Sequence, residues 1–199
     1  INPYDAEKNI WVVDDYKEGV FKFSHDGSKL LQMIGTPDHS GADDKHFNRP
    51  TFVTWLPDST MFVADGYNGT RVVKLDKNGR FLLAWGEKGV APNEKRPGYF
   101  NVVHGIAADP VTHRVYVVDR SNHRIQVFDE NGKFVDQWPV DEHSSINFLY
   151  IAANRKLWAA DDRNSRILEY DLQGHLLYSW GTLADWPGGL FNTHGMSVD

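Results

Sequence analysis

The chain predicts an all-β fold: a β-propeller of four-stranded antiparallel blades, with about four blades present. Three observations predict it. A strand ending in aspartate recurs four times, at Asp14, Asp65, Asp119 and Asp161. Each recurrence leads through a short polar turn into a second strand. Each second strand then ends at a glycine-containing tight turn before a third. Repetition at about 40 to 45 residues is the usual signature of propeller blades.

The first repeated strand reads Ile10-Trp-Val-Val-Asp14, and it returns as Met61-Phe-Val-Ala-Asp65, Val115-Tyr-Val-Val-Asp119 and Leu157-Trp-Ala-Ala-Asp161. The second reads Val20-Phe-Lys-Phe23, then Arg71-Val-Val-Lys-Leu75, Arg124-Ile-Gln-Val-Phe128 and Arg166-Ile-Leu-Glu-Tyr170. The turns that follow are Asp26-Gly27, Asn78-Gly79, Asn131-Gly132 and Gln173-Gly174. The first three pairs predict type I′ hairpins, in which both central residues take positive φ. Outer strands end at Met33-Ile-Gly35, Ala84-Trp-Gly86, Gln137-Trp138 and Ser179-Trp-Gly181. Blades are expected to meet near residues 36–50, 87–100, 139–147 and 181–191. Two of these junctions, Thr36 to Phe47 and Glu87 to Phe100, are insertions rich in Pro, Gly and charge, the kind of loop that builds sites. No segment has a helical period.

The ends meet the repeat at one phase. Ile1-Asn2-Pro3 aligns with Ala108-Asp109-Pro110, so the first repeat lacks an inner strand. Phe191 to Asp199 matches Phe100 to Asp109 and reads as an inner strand alone. A segment of a larger propeller is expected in preference to a closed four-bladed ring, because a blade without its inner strand exposes sheet edges.

With 199 residues the chain is long enough for one domain with a sizeable core, and seven tryptophans among 13% aromatics suit packing between sheets. No run of 18 apolar residues is present, so no membrane span is expected. The net charge of −6 without a basic stripe disfavours nucleic acid. There is no cysteine, which excludes disulfides and thiolate metal sites.

Two histidines carry the chemistry. His104 in Val103-His-Gly-Ile106 and His194 in Thr193-His-Gly-Met196 share one phase of the repeat, and the blade between them has no histidine there. Same-phase residues in a propeller face its central axis. Histidines facing the axis from alternate blades suggest a metal held there. A single inner-strand histidine would read as a hydrogen-bonded structural group; two in phase favour the metal. Tyr67 lies in a turn, where a surface hydrogen bond is the plain alternative to chemistry. Arg120 sits in the equivalent turn of the next blade. Arg71, Arg124 and Arg166 read as structural partners of turn carbonyls or blade aspartates, and Asp14, Asp65, Asp119 and Asp161 as acceptors of backbone amides in their turns. His46 precedes Phe47-Asn-Arg-Pro50 and is a candidate for a supporting role. His25, His39, His113, His123, His143 and His175 fall in turns or loops.

The strand-Asp-turn-Arg pattern, as in Val117-Val-Asp-Arg-Ser-Asn-His-Arg-Ile-Gln-Val-Phe-Asp-Glu-Asn-Gly132, resembles NHL repeats over the whole chain. A narrower resemblance runs from Phe47 to Phe128. Phe47-Asn-Arg-Pro-Thr51, Phe62-Val-Ala-Asp-Gly-Tyr67, Ala84-Trp-Gly-Glu87, Arg96-Pro-Gly-Tyr-Phe100, Val103-His-Gly105 and Val118-Asp-Arg-Ser-Asn-His-Arg124 are similar, in this order, to peptidyl-α-hydroxyglycine α-amidating lyases, and Phe191-Asn-Thr-His194 resembles that family's later histidine strand. The resemblance implies a six-bladed propeller with an axial zinc on three histidines, cleaving peptidyl-α-hydroxyglycine to peptide amide and glyoxylate. It implies zinc on His104 and His194, with the third histidine falling before Ile1, and catalytic roles for Tyr67 and Arg120. A second family arginine also falls upstream. Gly195 stands where the family has a calcium-binding aspartate, so calcium lacks that ligand here, and Asn192 replaces a family methionine. The disulfides of animal members have no counterpart.

Such a zinc would polarise the substrate hydroxyl. Tyr67 would take its proton, and Arg120 would stabilise the phenolate or grip the substrate carboxylate. The expected partner is a peptide or small amide substrate, with a protein partner as a further expectation, and the resemblance implies a secreted or extracytoplasmic setting. The competing expectation is a non-catalytic NHL propeller that binds a protein or peptide on one face; an RNA-binding module ranks third because of the acidic balance.

Overall fold

The computed structural model describes residues 1–187 and 189–196. Its elements are β1 (Ile10–Asp14), β2 (Gly19–Phe23) and β3 (Leu30–Gly35), then β4 (Pro50–Trp55), β5 (Met61–Asp65), β6 (Arg71–Leu75) and β7 (Phe81–Trp85). After β8 (Glu87–Lys88) and β9 (Tyr99–Phe100) come β10 (Val103–Ala108), β11 (Val115–Asp119), β12 (Arg124–Phe128) and β13 (Phe134–Pro139). The last sheet holds β14 (Ile146–Ile151), β15 (Leu157–Asp161), β16 (Arg166–Tyr170) and β17 (Leu176–Trp180). Sheets β4–β7, β10–β13 and β14–β17 are four-stranded antiparallel meanders, whereas β1–β3 has three strands, as the repeat phase predicts. The blades meet where expected. Between the second and third blades, the insertion pairs β8 with β9 in parallel, a feature the sequence reading did not foresee. Residues Phe191 to Met196 form no strand, and Ser197, Val198 and Asp199, the rest of the expected inner strand, lie outside the described residues.

The blades follow one another in an open arc, with β4 packed beside β10 and β10 beside β14. The core is divided accordingly. Val20 and Ile34 of the first blade pack with Val53, Trp55 and Val63 of the second. Phe62 and Val72 pack with Phe100, Ile106 and Val117. Ile125 and Trp138 pack with Leu149, Leu157 and Leu168. Each fully buried Val, Leu or Phe contributes about 1.5–3 kcal/mol.

The hairpin turns differ from expectation. Gly27, Gly79, Gly132 and Gly174 have φ of 74°, 79°, 81° and 91°, but Asp26, Asn78 and Asn131 do not adopt positive φ. The turns close over four residues, for example Gly79 N–H to the Asp76 carbonyl at 2.9 Å. The reason is a side chain two residues earlier than the pair: Asp76 Oδ1 accepts the amides of Asn78 and Arg80, both at 2.8 Å, and Asp129 and Asp171 repeat the device. That wrapped carboxylate favours a longer turn with glycine in the left-handed position, followed by a bulge. The tips then seat on the preceding blade. A Cβ on Gly132 would stand 2.8 Å from the Trp85 ring, and one on Gly174 2.4 Å from Trp138.

The repeated aspartates are wired more widely than expected. Asp14 accepts amides of its own turn, from Tyr16 and Lys17. Asp65, Asp119 and Asp161 instead accept the amides of Asn48, Asn101 and Ser145, just before the inner strand of their own blade. Each also pairs with its blade arginine: Arg71, Arg124 and Arg166, at 2.8, 2.8 and 2.9 Å.

Candidate functional site

Inner strands β4, β10 and β14 each carry a register shift near their start, at Pro50/Phe52, Val103/Ile106 and Ile146/Phe148. Bulges re-aim side chains, and here they govern Thr51, His104 and Asn147, one residue per blade at one phase. His104 is 2% exposed. Its Nδ1 lies 2.7 Å from the Asn147 carbonyl oxygen. A carbonyl only accepts, so Nδ1 carries the proton and Nε2 presents its lone pair. Burial first, and the nearby Arg120 charge second, push His104 down to about 3, against the raising effect of the Asn147 carbonyl. The ring is therefore neutral under ordinary conditions. Thr51 Oγ1 lies 2.9 Å from the His104 carbonyl, joining the second blade to the third.

Tyr67 reaches this ring from the neighbouring blade. It follows β5 in the turn Gly66-Tyr-Asn-Gly69, and its hydroxyl lies 3.0 Å from His104 Nε2, to which it donates. Gly66 makes the approach feasible, because a Cβ there would fall 1.5 Å from the Val103 carbonyl oxygen. His194 comes from the far side, with its ring centroid 5.3 Å from that of His104 and the planes at 75°. Arg120 opens a single turn of 3-10 helix, Arg120–Asn122. Its Nη1 donates to Asn147 Oδ1 at 3.0 Å, and its Cζ lies 5.3 Å from the Tyr67 ring centroid.

The structure thus brings together all four residues singled out by sequence: Tyr67, His104, Arg120 and His194. Two more belong to the cluster. Asn147 holds both His104 and Arg120; it sits at the histidine phase of the intervening blade, and that shared phase was its only signal. Arg49 lies over the Tyr67 ring, with Cζ 4.9 Å from its centroid. His46 instead bonds the Asp43 carboxylate at 2.8 Å, and its carbonyl accepts Arg71.

The donor set suits a zinc ion in part. Two imidazoles that share a tetrahedral ion at about 2.0–2.1 Å per bond have ring centroids roughly 5 Å apart, close to the separation of His104 and His194. A second ring nitrogen fixed by a carbonyl, as on His104, is the usual support of a metal-ligating histidine. Among the described residues no group of three His, Cys, Asp or Glu side chains converges to hold a metal. In a zinc site the pair would supply two ligands.

Comparisons with known proteins agree with this architecture. Residues 100–128 match the NHL repeat family. Peptidyl-glycine alpha-amidating monooxygenase A of Xenopus laevis is 38% identical over 185 residues, which is 91% of this chain and 20% of that protein. Peptidyl-alpha-hydroxyglycine alpha-amidating lyase 1 of Drosophila melanogaster is 32% identical over 67% of this chain and 26% of its own length. The chain therefore spans about a fifth to a quarter of these relatives. Among solved structures, virginiamycin B lyase from Staphylococcus aureus superposes with a TM-score of 0.62 at 13% identity, covering 86% of this chain and 51% of that one, which is a likeness of fold. This chain is a β-propeller that carries an NHL repeat at residues 100–128 and whose sequence resembles the peptidyl-α-hydroxyglycine α-amidating lyases.

Proposed function

We propose that the chain is part of a zinc-dependent lyase that cleaves a peptidyl-α-hydroxyglycine to a peptide amide and glyoxylate. The observation that supports this reading best is the Tyr67 hydroxyl on His104 Nε2, with His194 beside it. His104 and His194 would supply two zinc ligands. When bound, zinc supplies Lewis acidity toward the substrate hydroxyl.

The remaining chemistry belongs to the side chains. The C–N bond of the α-hydroxyglycine breaks as the hydroxyl loses its proton, and the departing amide nitrogen must gain one. Tyr67 stands beside the His104 nitrogen that would face the reacting centre, so its phenolic oxygen is the group to move that proton. Arg120 offers a guanidinium anchored at Nη1 by Asn147, which leaves its other nitrogens for the substrate carboxylate or for stabilising the phenolate. Asn147 keeps His104 in the tautomer whose Nε2 presents its lone pair, which a metal would take in place of the Tyr67 hydroxyl.

Glyoxylate release by the full-length, zinc-loaded protein tests the reading. The expected result is turnover that chelation abolishes, zinc restores, and Tyr67→Phe or His104→Ala reduces sharply. No release from the zinc-loaded wild type overturns it in favour of a non-catalytic peptide-binding propeller.

A further inference from the structure

Arg49 is tied to Tyr67 twice over. Its carbonyl accepts the Tyr67 amide at 2.9 Å and the Gly66 amide at 3.3 Å. Its guanidinium lies over the Tyr67 ring, with Cζ 4.9 Å from the centroid. The backbone part is common to the blades: Arg49 and Val102 both take positive φ, at 61° and 60°, and the Val102 carbonyl likewise accepts the Arg120 amide. The side chain is what sets Arg49 apart from Val102.

The first blade grips that side chain. Arg49 Nε donates to Asp15 Oδ2 at 3.0 Å, and Nη2 reaches the same oxygen. The guanidinium also lies 5.1 Å from the Tyr16 ring centroid. The Arg49 amide donates to Glu18, itself buried and bonded to Ser40 Oγ at 2.7 Å. Asp15, Tyr16 and Glu18 all belong to the β1–β2 connection. Arg49 is half-buried, so neither its charge nor its plane is free to drift.

We infer that Arg49 is a positioning residue: held by Asp15 and Tyr16 of the first blade, its planar guanidinium fixes the Tyr67 ring so that the hydroxyl stays beside the Nε2 edge of His104. A tyrosine in a turn has few neighbours to restrict its ring, and a stacked guanidinium restricts it directly. Arg120 lies over the same ring. Two cations near one ring would repel, and Asp15 compensates the charge of one of them. The structural half of this inference stands alone; its kinetic half rests on the lyase reading.

The experiment uses the full-length protein labelled with 13C-tyrosine and 15N-histidine, with the Tyr67 signals assigned from Tyr67→Phe. Arg49→Met, Arg49→Lys and Asp15→Asn are compared with wild type. The inference expects Tyr67 ring signals and the His104 Nε2 signal to move in all three variants. It also expects kcat to fall about 10- to 100-fold in Arg49→Met with KM nearly constant, since displacing a reacting group by about 1 Å costs on that order. Arg49→Lys keeps the charge and loses the plane, so it should rescue little. Unmoved Tyr67 and His104 signals in Arg49→Met and Asp15→Asn would overturn the inference. So would a raised KM with kcat intact, which would make Arg49 a substrate contact. A wild type without glyoxylate release sinks the lyase reading alone, because the resonance shifts still decide the clamp. If Arg49→Met fails to fold, Asp15→Asn gives the same decision.

Discussion

Removing the Asp119 carboxylate should unfold the third blade before it disturbs any distant one. Asp119 is fully buried and accepts from the Asn101 amide at 2.8 Å, Asn122 Nδ2 at 2.9 and 3.0 Å, Arg124 Nε at 2.8 Å and Gln126 Nε2 at 3.2 Å. Burial pushes its carboxyl above the ordinary carboxylate range despite the bonds from Asn101, Arg124 and Asn122. The ion pair is thus no large net source of stability, yet breaking it is costly. Asp119→Ala leaves the Arg124 guanidinium, 6% exposed, without its counter-charge. One-sided loss of a buried pair costs about 3–5 kcal/mol. At roughly 2–4 °C per kcal/mol for a domain of this size, the melting temperature should fall by about 6–20 °C. Arg124 keeps Gln137 Oε1 at 2.7 Å and the Tyr99 carbonyl at 2.6 Å, so its charge is not wholly abandoned and the lower half of that range is expected. Calorimetry of the purified protein measures the fall. Adding Arg124→Met to Asp119→Ala should recover part of it, since removing both charges avoids the orphaned cation. A loss below about 1 kcal/mol, or a double variant worse than the sum of the singles, would refute this account.

Three further outcomes follow from single contacts. Gly66→Ala must displace the turn from the Val103 carbonyl, so it should lower stability by about 1–3 kcal/mol and break the Tyr67–His104 bond, checked by unfolding and by the His104 imidazole 15N signals. Asn147→Ala removes the side-chain acceptor of Arg120 but keeps the carbonyl on His104, so catalytic efficiency should drop while zinc affinity stays close to wild type; an equal loss of both would contradict the division of roles. Burial raises the Asp109 carboxyl, but bonds from Arg155, Thr112 and the Val111 amide outweigh it and leave it below the ordinary 3.8. A depressed folded value means stability that is present above 3.8 and lost as pH falls below it. Asp109→Asn should flatten the acid side of the urea-midpoint profile; midpoints falling in parallel with wild type would count against it.

Blade boundaries were legible because they depend on local chemistry: strand-forming runs broken by Gly, Pro and Asp. The phase of His104 and His194 was legible for the same reason, since a repeat converts sequence position into direction. What escaped was interaction across blades. Arg49 stood inside a quoted motif, but nothing in Phe47-Asn-Arg-Pro50 announces Asp15 or Tyr16, which lie more than thirty residues away. Asn147 holds His104 through a carbonyl that every residue possesses, and its Oδ1 meets Arg120 only across the blade seam. The hairpin turns depart from the type I′ form that an Asn-Gly pair favours because the aspartate two positions earlier reorganises the loop with its carboxylate. Asp65, Asp119 and Asp161 accept amides outside their own turns, at Asn48, Asn101 and Ser145, and so tie each turn to the start of the adjacent inner strand.

The seating of Gly132 on Trp85 and of Gly174 on Trp138 bears on how such a protein can be recombined. A tip glycine is required by its neighbour's indole as well as by its own turn, and the tryptophan that needs it lies one blade earlier. Any crossover between Trp85 and Gly132, or between Trp138 and Gly174, therefore separates two residues that have to match, whereas a crossover in the short stretch between Gly132 and Trp138 keeps both pairs together. Chimeras cut between a tip glycine and the outer-strand tryptophan that follows it should inherit intact seams; chimeras cut at the linkers, or earlier in a sheet, should have to rebuild one.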